Sequence, residues 1–66
     1  MSDYQPNPIM QYFNYQHLPP HLQATSQPIG DLATQMDKTL PPSAEKSAGL
    51  RKLLEAKDCF VRASVS

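Results

Sequence analysis

Cysteine occurs once and glycine twice in this 66-residue chain, and lysine plus arginine balance aspartate plus glutamate at a formal net charge of zero. A lone Cys59 excludes an internal disulfide and a multi-cysteine zinc site, and leaves a free thiol on a helix. Gly30 and Gly49 stand far apart, so there is no glycine-rich loop to cradle a phosphate. Neutral charge disfavours a general binder of polymeric nucleic acid, of DNA through a helix pair, or of a membrane surface. No apolar run approaches the roughly 18 residues needed to span a bilayer. The first residues, with Asp3, Pro6 and Pro8, lack the basic and apolar regions of a secretory leader, so a cytoplasmic protein is expected.

The usual catalytic groupings are also missing. His17 and His21 are a pair without further metal ligands, so no metal site and no cofactor are expected. Cys59 falls on a polar helix side with no base placed beside it. The chain is too short to enclose a water-excluded active site within one subunit, so the expectation is a protein that is not an enzyme.

What the sequence does contain is helix. From Ser43 to about residue 64 the spacing predicts an amphipathic helix, with Ser43 as N-cap behind Pro41 and Pro42. Glu45 and Arg62 suit the two ends of the helix dipole. Leu50, Leu53, Leu54, Phe60 and Val61 follow one face, and Arg51, Lys52, Glu55 and Cys59 the other. Arg51 with Glu55, and Asp58 with Arg62, are spaced to meet on the surface. Lys46 and Lys57 fall inside the apolar line. Two readings follow: the stems cover apolar surface while the ammonium groups reach water, or the stripe faces a pocket that holds anions.

A second helix is predicted over about 20–40, on Leu22, Ile29, Leu32, Ala33, Met36 and Leu40. Pro28 removes a backbone donor inside it and crowds the carbonyl of Ala24. A restart at that point is preferred over a kink, with Ser26 as the new cap; Thr25 and Ser26 could also turn their hydroxyls to a pocket. Residues 1–11 read as a mobile or weakly docked N-terminal arm and 12–66 as the helical-hairpin domain. Phe13, Tyr15 and His17 alternate with Asn14 and Gln16, which puts their rings on one side of an extended strand. Such an arm would lay its aromatics on a neighbouring subunit or stack them on nucleobases.

The fold expected is all-α: an antiparallel helical hairpin joined by Leu40-Pro41-Pro42, with a short N-terminal aromatic arm. Two helices alone have no further layer to cover their apolar stripe, and the chain has no disulfide or metal staple. Assembly as a homo-oligomer is therefore expected.

The run F-N-Y-Q-H-L-P at Phe13 to Pro19, Leu32-Ala33, and L-P-P-S-A-E-K-S-A-G-L-R-K-L-L-E-A-K-D at Leu40 to Asp58 resembles a known family. It is similar to the small helical-hairpin anti-CBASS sponges of phages, whose hairpin some anti-Thoeris sponges share. The resemblance covers about four-fifths of the chain. It implies a compact homo-oligomer, a hexamer in the family, that holds cyclic di- and trinucleotides between subunits. It also implies sequestration without cleavage, in the host cytosol, which silences immune signalling. By position it assigns base stacking to Tyr15, with Phe13 anchoring nearby and His17 in the same arm. It assigns a phosphate contact to Lys46, with Arg51 or Lys57 beside it. The chain departs from the pattern in its first helix, where Ser26 and Pro28 stand near places held by Arg and Lys in relatives. The alternative is a small interaction module or adaptor that docks through its apolar stripe.

Overall fold

The computed structural model describes residues 4–65. A 3-10 segment, Pro8–Phe13, leads into α1 (Pro20–Thr39) and α2 (Ala44–Val65), and no described residue lies in a strand. Neither helix is long and apolar enough to cross a membrane.

Both ends of the hairpin are built as the side chains dictate. Ser43 accepts the Lys46 N–H at 3.0 Å and so caps α2 where expected. The Leu40 N–H closes α1 on the Met36 carbonyl at 3.1 Å, and Pro41 and Pro42 prevent its continuation. At the far end Thr25 and Ser64 join their hydroxyls at 2.8 Å, so the start of α1 lies beside the end of α2 and the helices are antiparallel.

The proline in α1 does not divide it. The helix runs unbroken through Pro28, so the restart at Ser26 is corrected, and Ser26 caps nothing. Burial gives the reason. Ser26, Gly30, Ala33 and Asp37 recur at four-three-four spacing and are all buried, which makes one continuous seam of small residues for neighbours to press against. Packing along that seam outweighs the single hydrogen bond that Pro28 removes.

The neighbour on one side is the N-terminal segment. Asn7 accepts the Ile9 N–H at 3.1 Å and Pro8 occupies the first turn, which starts the 3-10 segment locally. Ile9 and Phe13 then enter the core with Ala33, Leu50 and Leu54. Residues 4–11 are thus docked on the hairpin, the second of the two readings of the arm; its first three residues lie outside the described residues. The aromatic run is not an extended strand. Gln16 donates its N–H to Asn14 Oδ1 at 3.1 Å, and Leu18 to the Tyr15 carbonyl at 3.1 Å, which folds residues 14–18 into a turn. Phe13 therefore covers its own hairpin, supplying part of the second layer that two helices lack.

Gly30 is where this segment crosses α1. A Cβ there would meet the Phe13 carbonyl oxygen at 3.1 Å and Tyr15 Cδ2 at 3.4 Å, whereas nothing lies within 4 Å of the same position on Gly49. The two glycines should respond oppositely to alanine. Gly49→Ala is expected to stabilise the fold by about 0.5–1 kcal/mol through backbone entropy. Gly30→Ala must move a backbone oxygen and is expected to lose that gain and more. Urea unfolding of both variants checks this; equal shifts would mean that the crossing is not tight.

Candidate functional site

The tightest polar grouping in the chain joins all three elements. Asp37 lies on the buried seam with a fully buried side chain, and Lys46, only 8 % exposed, places Nζ 2.9 Å from Asp37 Oδ1. The same ammonium donates to the main-chain carbonyls of Asp37 at 2.8 Å and Leu40 at 3.0 Å. An ammonium has three N–H donors, and two of them go to carbonyls at the C-terminal end of α1. Asp37 Oδ2 accepts from the Tyr4 hydroxyl and, at 3.0 Å, from the Asn7 N–H. The cluster ties the N-terminal segment, the end of α1 and the start of α2 together.

The charges in it respond accordingly. Burial alone would push the Asp37 carboxyl up. Hydrogen bonds from Tyr4, Lys46 and the Asn7 backbone, with the Lys46 charge, more than offset this and hold it below its ordinary value. Burial, followed by the hydrogen bond to the Asp37 carboxylate and its charge, pushes the Tyr4 phenol up to about 12.

Lys46, to which the resemblance assigns a phosphate contact, is engaged by Asp37 and the Leu40 carbonyl within the chain. Phe13, 4 % exposed, is a core residue. Ser26 is buried with its hydroxyl unpartnered, and it lines none of the three main concavities. Lys57 sits in the apolar line as expected, but its ammonium lies 3.0 Å from Asp58 Oδ1. Asp58 therefore turns to Lys57, and Arg62 reaches Cys59 Sγ at 3.5 Å. Arg51 and Glu55 form no ion pair. His17 is exposed at the turn that precedes α1.

Four predicted residues line hollows: Phe13 and Tyr15 on one side of the docked segment, Arg51 on the other, and Lys46 in the groove between α1 and α2. Tyr15 borders a concavity of about 360 Å³ with Tyr4, Gly30, Asp31, Thr34 and Lys38. Lys38 Nζ stands 5.5 Å from the centre of the Tyr4 ring, a cation–π distance. Arg51 borders a second concavity of about 530 Å³ with Asn7, Tyr12 and Ser47. Each of these two concavities thus offers an aromatic side chain and one cation.

Asp37, Tyr4 and Lys38 are the residues that sequence reasoning missed. Asp37 left a signal, since it continues the line of Ser26, Gly30 and Ala33 at helical spacing, and a carboxylate on a buried line needs a cation. Tyr4 and Lys38 left none, because only the docked segment brings them together. Comparison of this chain with protein-family models, with curated proteins and with solved structures finds no match.

Proposed function

We propose that this chain is a non-enzymatic homo-oligomer that binds and sequesters cyclic di- or trinucleotides without cleaving them, and so blocks CBASS-type defence signalling when a phage brings it into the host cytosol. The family resemblance of the sequence supports this reading. The observation that carries it is the hollow that Tyr15 and Lys38 line together. A base stacks on the tyrosine ring while the ammonium meets a phosphate through charge-assisted hydrogen bonds. Lys38 takes the part that the resemblance gave to Lys46. Asp31 lines the same hollow, so one chain does not neutralise a multiply charged ring there. The remaining cation comes from a neighbouring copy, with exposed Arg51 the residue available for it.

Calorimetric titration with a panel of cyclic di- and trinucleotides tests the reading. Tyr15→Ala and Lys38→Ala are each expected to weaken binding by about 1–3 kcal/mol while the helical signal is kept. Absence of heat with every member of the panel, from a folded sample, retires the proposal. The alternative, an interaction module or adaptor that docks through its apolar stripe, has one observation in its favour: an apolar groove lies open between α1 and α2.

A further inference from the structure

Two tyrosines border the hollow between the docked segment and α1, and they are fixed at different places along it. The Tyr15 ring lies over Gly30, with Cδ2 3.4 Å from the place a Cβ would take. Tyr4 is anchored at Asp37, seven residues and about 10 Å further along α1. Tyr15 already has a part in the proposed capture as the stacking ring. Tyr4 has none, although it stands at the cation.

The anchor of Tyr4 is unusually firm for a half-buried side chain near a chain end. Its hydroxyl donates to Asp37 Oδ2, and three residues on the Asn7 N–H donates to the same oxygen at 3.0 Å. The Asp37 side chain is fully buried and is gripped from α2 by Lys46 at 2.9 Å, so the acceptor is itself held in place. Burial and this carboxylate push the phenol up to about 12, so the hydroxyl stays a donor at every ordinary pH. A phenol that donates to a carboxylate is polarised toward a richer ring, and the negative ring face is what attracts a cation.

That cation is Lys38, whose Nζ stands over the Tyr4 ring at 5.5 Å from its centre. Lys38 is exposed, and a lysine on a flexible four-carbon stem samples many rotamers in water unless something holds it. Asp31 and Thr34 line the same hollow on the same face of α1, so a carboxylate competes for the ammonium. We infer that Tyr4 is a positioning residue: with its hydroxyl fixed on Asp37, its ring holds the Lys38 ammonium at the hollow that both residues line, ready for the phosphate of a bound cyclic nucleotide. The inference rests on the reading that this hollow captures cyclic nucleotides, and it names the residue through which the buried cluster reaches that site.

Two measurements on the full chain test it. In the ligand-free protein the ε-methylene protons of Lys38 lie near the face of a ring, so by NMR they should resonate upfield of those of exposed Lys52. The shift should persist in Tyr4→Phe, which keeps the ring, and vanish in Tyr4→Leu. Lys38 protons that match those of Lys52 in the unmodified protein overturn the inference whatever the chain binds. The second measurement is a double-mutant cycle, read by calorimetry with each member of the cyclic di- and trinucleotide panel. Tyr4→Leu should weaken binding about threefold when Lys38 is present, the scale of an exposed cation–π contact, and change nothing further in Lys38→Ala. Tyr4→Phe should stay close to the unmodified protein. Equal losses with and without Lys38, or a loss in Tyr4→Phe as large as in Tyr4→Leu, would make Tyr4 a stacking or purely structural residue and overturn the inference. A folded protein that binds no member of the panel fails the functional reading; the Lys38 shift, present or absent, then still decides whether Tyr4 holds the cation.

Discussion

Lys46→Ala is expected to cost about 3–5 kcal/mol of folding free energy, the loss that follows when one partner of a buried ion pair is removed. The substitution leaves the Asp37 carboxylate buried without its cation, and leaves the Asp37 and Leu40 carbonyls at the end of α1 without their shared donor. For a chain of this size that is a large share of the stability available. A binding role for Lys46 alone would predict a normally folded variant, so urea unfolding separates the two. The same cluster sets the acid limit. Because the folded Asp37 carboxyl is held below its ordinary value of 3.8, its contribution is fully present above that pH and is lost as the pH falls through the depressed folded value. Stability should therefore decline below about pH 4, and that step should shrink in Lys46→Ala. An acid profile identical in the two proteins would deny the pair its role.

Phe13→Ala carries the second large effect, about 3–5 kcal/mol, the range for truncating a buried phenylalanine. The ring is the largest side chain that the 3-10 segment contributes to the core, beside Ala33, Leu50 and Leu54. Its removal also releases the segment that holds Tyr15 against Gly30, so nucleotide binding should weaken together with stability. A mobile arm would give no such coupling. Thermal unfolding and calorimetry on the same preparation read both quantities; a stable Phe13→Ala protein would contradict the docking.

The parts of this fold that were legible in the sequence are those with local causes. The start of α2 follows from Ser43 and the prolines before it, and the short connection follows from Leu40-Pro41-Pro42. What was not legible depended on contacts far apart in the chain. Pro28 gives a strong local signal for a break, yet a seam of small residues packed along its whole length keeps α1 continuous. Pro6, Asn7 and Pro8 suggest a loose arm, but Asn7 also starts the 3-10 turn and donates its N–H to a carboxylate thirty residues away. Lys46 was correctly placed on the apolar line of α2, and its burial follows from that. The identity of the anion did not: the partner is Asp37 of the same chain, close only because the hairpin closes.

Tyr15 shows the same division. Its ring type suits stacking wherever it sits, but the cation at its side is fixed by tertiary contact, and the fold brings Lys38 there. The hollow is shared with the Asp31 carboxylate, so the proposed capture of a multiply charged messenger calls for a cation from a second copy.

Native mass spectrometry of the full chain, with and without added cyclic di- and trinucleotides, is the most direct test of capture without cleavage. The expected result is an assembly whose mass is a multiple of 7.4 kDa and which gains whole, uncleaved nucleotides in fixed number, with that gain reduced in Tyr15→Ala and Lys38→Ala. A single 7.4 kDa chain that takes up no nucleotide, or one that returns linearised products, would contradict it.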